Sequence, residues 1–312
     1  MGGMDEIKLF SGSSNLPLAE KIAEYINVKL GKMELGRFAD GEVNVRIGET
    51  VRGYDVFLVQ STNPPVNENL MELLIMIDAF KRASARSVVA VIPYYGYARQ
   101  DRKARGRDPI SAKLVANLLT TAGASRIITM DLHSEQIQGF FDIPLDNLQS
   151  FPIFLEKFKN CDRAETVVVS PDIGGVKRAS KFAEKLGVSL AILDKRRPKD
   201  NVAEIVNFIG DVEGKIAIIF DDIIDTARSL VESAKVVERM GAKKIIACAT
   251  HALFSGEAIE RIMDSPIEKV YITDTIHHEN LPDKFEILTI SRLFGETIMR
   301  IVNNLSVSIL FR

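Results

Sequence analysis

The stretch Ile218-Ile219-Phe220-Asp221-Asp222-Ile223-Ile224-Asp225-Thr226-Ala227-Arg228-Ser229-Leu230 decides how the chain is read. An apolar run over residues 216–220 drives into two carboxylates, and Asp225, Thr226 and Ser229 then open a helical pattern over residues 230–240. The spacing predicts a buried strand ending in charge, a short turn, then a helix. In an α/β sheet, ligands bind outside the carboxyl ends of the strands, and a helix N-terminus there offers unpaired N–H groups to a phosphate. Paired carboxylates beside such a cradle suit a sugar phosphate, with acids for the hydroxyls and a metal and amides for the phosphate. The plainer alternative is a strand followed by an Asp N-cap.

Outward from this stretch, short apolar runs alternate with helical patterns along nearly the whole chain, which argues for parallel sheets covered by helices. Strands are expected at residues 7–10, 43–47, 56–60, 88–92, 127–130, 166–169, 190–193, 216–220, 245–249, 269–273 and 287–290. Leu70, Leu73, Leu74, Ile77 and Phe80 mark an amphipathic helix, and further helices are expected over residues 110–119, 258–263 and 294–303. The proline-containing stretch 142–152 breaks the pattern and is taken as the domain boundary.

At 312 residues the chain is long enough for two domains, and 46% hydrophobic with 26% charged residues is the balance of a soluble globular protein. A formal charge of −2 gives no general pull toward nucleic acid or an anionic membrane, so any anion binding is local. Two cysteines, Cys161 and Cys248, do not make a disulfide framework and fit a reducing compartment. No apolar stretch approaches the roughly 20 residues that span a bilayer, and residues 1–6 lack the basic and apolar regions of a signal peptide. The expectation is a cytoplasmic protein.

Other strand ends carry chemistry too. Residues 99–107 hold five basic side chains and one acid, contain Gly106, and are closed by Asp108-Pro109. This is either a solvated surface run or a loop for polyphosphate. Asp131-Leu132-His133 ends the strand at 127–130, and Ser170-Pro171-Asp172-Ile173-Gly174-Gly175 follows the strand at 166–169. Paired glycines after Asp172 give accessible backbone amides beside a carboxylate. Residues 194–201, Asp-Lys-Arg-Arg-Pro-Lys-Asp-Asn, read as a mobile surface loop or as a lid carrying cations. The halves echo each other: 88–93 resembles 167–171, and 127–131 resembles 218–222, as a duplicated α/β unit would. No dinucleotide fingerprint, P-loop, zinc spacing or Gly-x-Ser-x-Gly elbow occurs.

The chain resembles the ribose-phosphate pyrophosphokinase family. The likeness runs from Phe10-Ser11-Gly12-Ser13 to Ser306-Val307-Ser308-Ile309-Leu310-Phe311. Between them it takes in Asn69-Leu70-Met71-Glu72-Leu73-Leu74, Tyr97-Ala98-Arg99-Gln100-Asp101, Met130-Asp131-Leu132-His133, Gln136-Ile137-Gln138-Gly139-Phe140-Phe141, Ser170-Pro171-Asp172 and Asp221-Asp222-Ile223-Ile224-Asp225-Thr226.

The resemblance implies an α/β fold of two duplicated phosphoribosyltransferase-like domains, each a mainly parallel sheet flanked by helices. These would span residues 1–147 and 148–301, with a tail at 302–312 packing back on the first. It implies transfer of the pyrophosphoryl group of Mg-ATP to the anomeric hydroxyl of ribose 5-phosphate. Asp221 and Asp222 would meet the ribose hydroxyls or magnesium, and Asp225, Thr226, Ala227, Arg228 and Ser229 would wrap the 5-phosphate. His133 and Asp172 would sit near the Mg2+. Arg99, Gln100 and Asp101 would contact ATP, whose adenine would be held by a neighbouring subunit's Phe38, Asp40 and Glu42. Lys195 and Arg197 match the catalytic lid. The shared adenine site implies a homo-oligomer, at least a dimer and commonly a hexamer. Arg52, Arg107, Ser306 and Ser308 match an effector site for phosphate and ADP.

One departure stands out. The family's phosphate turn continues Asp-Thr with two small residues, the second a glycine, and then Thr, whereas this chain has Ala227-Arg228-Ser229. Glycine there permits positive φ and close backbone approach. Either the turn tolerates arginine and gains a cation, or ribose phosphate binding weakens. Two other functions share parts of the pattern, a phosphoribosyltransferase and a non-catalytic regulatory homologue; residues 99–107 and the Lys195/Arg197 pair weigh against the first, and His133, Asp172, Lys195 and Arg197 against the second.

Overall fold

The computed structural model describes residues 6–196 and 205–311. Two compact units divide the chain, one from Met1–Gln149, Thr275–His277 and Thr289–Arg312, the other from Ser150–Asp274 and His278–Leu288.

In the first unit, β1 (Ile7–Ser11) leads through α1 (Leu16–Tyr25) to a hairpin of β2 (Met33–Arg37) and β3 (Val43–Ile47). Then come β4 (Asp55–Val59), α2 (Val66–Arg82), β5 (Ser87–Ile92), α3 (Ser111–Ala122), β6 (Arg126–Met130) and β7 (Leu145–Leu148). The sheet runs β1-β4-β5-β6-β7 with every pair parallel, while β2 and β3 form a separate antiparallel ribbon. Parallel strands are covered on both faces, so Val88, Val89, Ala90, Val91 and Ile92 are all buried, as the unbroken apolar run requires. α1 begins where Asn15 Oδ1 accepts the Leu18 N–H at 3.3 Å, with Pro17 in the first turn.

The second unit holds α4 (Phe151–Phe158), β8 (Thr166–Ser170), α5 (Val176–Leu186), β9 (Ser189–Arg196), β10 (Ile205–Ile209), β11 (Ile216–Ile224), α6 (Arg228–Arg239), β12 (Lys244–Ala252), α7 (Ala258–Met263), β13 (Lys269–Thr273) and β14 (Phe285–Leu288). Its sheet order is β10-β9-β8-β11-β12-β13-β14, parallel except for β10 against β9. Phe154, Phe182 and Phe220 pack in its core, with the rings of Phe182 and Phe220 stacked at 4.4 Å. A last helix, α8 (Ser291–Val302), closes the chain.

Several expectations change. The stretch 142–152 is not featureless: it contains β7, the fifth parallel strand, and Pro152 serves in the first turn of α4. α8 belongs to the first unit rather than to a second domain ending at residue 301, because Gly295 lets it approach α1 closely: a Cβ there would lie 2.4 Å from Tyr25 Cδ1. β2 and β10 are strands that the sequence pattern does not announce. β9 extends through Asp194, Lys195 and Arg196, which the charge pattern assigned to a loop.

The duplication is real in topology, with a different correspondence from the one the letters suggested. β1, β4, β5, β6 and β7 match β8, β11, β12, β13 and β14 in order along their sheets. The strand at 88–92 therefore corresponds to β12, not β8, and the strand at 127–130 to β13, not β11.

Candidate sugar-phosphate site

In the second unit the chain leaves β8 to build β9 on one side, then crosses to build β11 on the other. That reversal is a topological switch point, where the loops leaving adjacent strand ends part and open a crevice. Both sequence-predicted elements flank it: residues 171–175 follow β8, and residues 225–227 follow β11. β8 pairs with β11 only as far as Val169 opposite Ile219, whereas β12 stays paired through Ala252 opposite Ile224. Asp221 and Asp222 thus lie within β11, beyond its last β8 partner, rather than after the strand's end.

Asp222 is buried, and its carboxylate pairs with Arg178 Nη1 at 3.0 Å; the same nitrogen is 3.8 Å from Asp221. Asp221 Oδ1 accepts the Asp222 N–H at 2.8 Å. Burial raises the Asp221 pKa well above the usual carboxylate range, the neighbouring Asp222 charge adds to the rise, and Arg178 offsets part of it. Arg178, in the first turn of α5, is a site residue that sequence reading missed. Its only signal was position, three residues after Gly175.

After Ile224 the backbone turns sharply. Ala227 adopts the left-handed conformation (φ 57°) and is buried, and α6 starts at Arg228. Its first helical bond is Val231 N–H to Ala227 O at 2.9 Å. The positive φ therefore falls on Ala227, and exposed Arg228 has ordinary helical geometry. The turn is thus formed with arginine at 228, and its effect on ribose phosphate binding is a matter for kinetics. Thr226 and Ser229 are exposed and Asp225 is half-buried.

The Asp172 loop is shaped by its own side chains. Asp172 Oδ1 accepts the Gly175 N–H at 2.8 Å, and Ser170 Oγ donates to the Asp172 carbonyl at 2.7 Å. The carboxylate remains exposed on the crevice side of β8. On β9, across β8 from β11, Lys195 faces Val206 of the edge strand β10 by backbone register. Arg197 lies outside the described residues.

In the first unit, parallel register brings the loops after β5 and β6 to one edge. Gln100 Oε1 accepts from Ser111 Oγ at 2.6 Å, and the Gln100 carbonyl accepts the Ala112 N–H, so residues 99–101 are tied to the start of α3. Arg99 and Gln100 are exposed and Asp101 half-buried. His133 is exposed on the turn after β6, where Asp131 takes φ 38° and Leu132 N–H donates to Asn147 Oδ1. Phe38, Asp40 and Glu42 occupy the exposed tip of the β2/β3 hairpin, with Asp40 Oδ1 accepting the Glu42 N–H. Ser306 and Ser308 have hydroxyls 3.0 Å apart, and Arg300 Nη1 donates to the Ser306 carbonyl at 3.1 Å. Arg52 and Arg107 are exposed on separate loops.

Carboxylates at a switch point, followed by a tight turn into a helix, define the class: an α/β protein with an anion-accepting turn beside paired acids, the arrangement that suits a phosphorylated sugar. Comparison with known proteins narrows it. Residues 7–123 match the N-terminal domain of ribose phosphate pyrophosphokinase, and residues 195–312 match the phosphoribosyl synthetase-associated domain. The ribose-phosphate pyrophosphokinase of Thermotoga maritima is 68% identical over 315 residues, covering 100% of both chains. That of Thermosipho africanus is 68% identical over 310 residues, covering 99% of this chain and 98% of the relative. The crystal structure of phosphoribosylpyrophosphate synthetase from Mycobacterium smegmatis superposes with a TM-score of 0.90 at 41% identity, covering 96% of this chain and 99% of that one. The chain belongs to the ribose-phosphate pyrophosphokinase family.

Proposed function

We propose that the protein transfers the pyrophosphoryl group of Mg-ATP to the C1 hydroxyl of ribose 5-phosphate, giving 5-phosphoribosyl 1-pyrophosphate and AMP. The C1 oxygen bonds to the β-phosphorus as the bond from that phosphorus to the AMP oxygen breaks. The observation that carries this reading is the tight turn at Ala227, which sets a helix N-terminus directly after the carboxylates Asp221 and Asp222 at the switch point.

In this assignment residues 225–229 hold the 5-phosphate and the two carboxylates take the ribose hydroxyls. Asp172, Asp221 and Asp222 offer hard oxygen donors, which fit magnesium, an ion held by a few carboxylates together with water and phosphate. When bound it neutralises charge on the phosphates; His133 and Asp172 are the residues assigned to it. Arg99, Gln100 and Asp101 take the ATP phosphates, and Phe38, Asp40 and Glu42 of a neighbouring copy hold adenine in a homo-oligomer, at least a dimer and by family likeness a hexamer. Lys195 and Arg197 supply positive charge where phosphoryl oxygens gain negative charge, and exclude water that would hydrolyse ATP. Phosphate and ADP act at Arg52, Arg107, Ser306 and Ser308. The free thiols of Cys161 and Cys248 suit the cytoplasm.

The deciding assay is AMP release from ATP. Release that depends on ribose 5-phosphate supports the reading. No release rejects it in favour of a regulatory homologue, and release that ignores ribose 5-phosphate rejects it as transfer to water rather than to the sugar.

A further inference from the structure

The turn that follows β11 is fastened on one side. The Ile224 carbonyl accepts the Leu253 and Phe254 N–H groups at 2.8 and 3.3 Å, and the Asp225 carbonyl accepts the Ser255 N–H at 3.0 Å. The third carbonyl in the row, that of Thr226, accepts Arg261 Nη1 at 2.9 Å. Arg261 stands on α7, its other terminal nitrogen pairs with Glu257 at 2.7 Å, and its side chain is 27% exposed. Three consecutive carbonyls are thus drawn to one side, the first two toward the segment after β12 and the third toward α7.

A trans peptide points its N–H opposite to its carbonyl. Fixing the carbonyls of residues 224, 225 and 226 therefore aims the N–H groups of 225, 226 and 227 the other way, into the start of α6. Such a run of amides, closed by one left-handed residue, makes an anion-binding concavity. Two of the three peptides are set by backbone partners. The last, which carries the Ala227 N–H, is set by one side chain.

We infer that Arg261 is a positioning residue for ribose 5-phosphate: from behind the turn, without touching the sugar phosphate, it holds the 226–227 peptide in the orientation that presents the Ala227 N–H to the 5-phosphate. This deepens the reading of residues 225–229 as the phosphate turn and rests on it. A purely structural arginine would affect both substrates alike. A positioning one acts on ribose 5-phosphate alone, because Arg99, Gln100 and Asp101 lie on other elements.

The test is steady-state kinetics of Arg261→Met, Arg261→Lys and Ser229→Glu in the full-length enzyme, with thermal melting of each. Losing one well-aimed amide is expected to raise KM for ribose 5-phosphate about tenfold in Arg261→Met, with KM for ATP within about twofold and kcat within about threefold. Arg261→Lys keeps one charged donor and should fall between this variant and the parent. An unmoved KM for ribose 5-phosphate, or equal movement of both KM values, overturns the inference. Should Arg261→Met not fold, Arg261→Lys decides by the same criterion: a rise confined to ribose 5-phosphate supports the role, and no rise or a shared one overturns it. Ser229→Glu separates the two layers. A carboxylate in the first turn favours the helix yet repels a phosphate bound there. If Ser229→Glu raises KM for ribose 5-phosphate while Arg261→Met does not, only the role of Arg261 fails. If Ser229→Glu leaves it unchanged, the phosphate reading of the turn fails and the role of Arg261 falls with it.

Discussion

Ala227 bears the left-handed backbone of the turn proposed to hold the 5-phosphate, and Arg228 bears none of it. Arg228→Gly, which would restore the family's glycine, and Ala227→Gly, which probes the left-handed position itself, therefore have different consequences. Ala227→Gly relieves roughly 1 kcal/mol of left-handed strain but frees the unfolded chain by a similar amount. Its melting temperature should stay close to the parent's, with KM for ribose 5-phosphate little changed. Arg228→Gly removes a cation from the first turn of α6 and weakens the helix by up to about 1 kcal/mol. KM for ribose 5-phosphate should rise about three- to tenfold while that for ATP holds, as the loss of one exposed cation near a phosphate warrants; equal shifts would place Arg228 outside the site. Asp221 makes a pH prediction. Its pKa is raised in the folded protein, so its contribution to stability is full below the ordinary carboxylate range and is lost as pH rises toward the raised value. In magnesium-free buffer, Asp221→Asn should melt higher than the parent at pH 8, and the difference should shrink toward pH 4. Activity should drop about ten- to hundredfold if the carboxylate receives a ribose hydroxyl. A melting difference independent of pH would disprove the burial argument.

At the scale of elements, Lys195, proposed above as a lid residue, lies on the two-stranded β9/β10 ribbon, whose base is closed by Gly210. This residue has φ 105°, and a Cβ there would lie 2.9 Å from Ala191 Cα and the Leu190 carbonyl. Gly210→Ala meets a forbidden φ and a backbone clash together, so it should cost about 2 kcal/mol or more and lower the melting temperature by several degrees. Turnover should fall with it, because Lys195 is held in register by the same ribbon. A variant as stable as the parent would show that the ribbon end is free to shift. The same elements mark how far the sequence could be read. Uniform Val/Ile runs such as 88–92 and 167–169 announce buried parallel strands because no face of them meets water. β11 was cut short at Phe220 because charge normally ends a strand, yet pairing with β12 carries it through two aspartates to Ile224. β2, Met33-Glu34-Leu35-Gly36-Arg37, stayed hidden because glycine and charges dilute its alternation. The acids and the turn of the site were legible as a local pattern. Arg178 and Arg261 were not, since each reaches the site from a separate helix and only the tertiary fold brings it there.

For the whole molecule, duplication has produced two sheets with one strand order and different additions. The first unit sets the β2/β3 hairpin apart from its sheet, and the second adds β9 and β10 at its edge. The hairpin tip leaves Phe38 54% exposed, a large aromatic in water at the end of a projecting ribbon. Such a group is suited to stacking on a base bound by another copy, which is the role proposed for it. That role has a consequence that no single-site assay shares. Let one batch of enzyme carry Phe38→Ala and another Lys195→Ala, each with low activity at limiting ATP. Every chain in the mixture then holds one lesion, so a site built wholly within one chain cannot recover. A site that takes Lys195 from one chain and Phe38 from its neighbour is intact whenever an unaltered Lys195 meets an unaltered Phe38. With equal amounts and free exchange of subunits, this holds for about one site in four. Mixing the variants under conditions that let subunits exchange should therefore restore about a quarter of the parent's activity. Activity that stays at the average of the two variants, after exchange has been verified by mass, would mean that the hairpin serves its own chain.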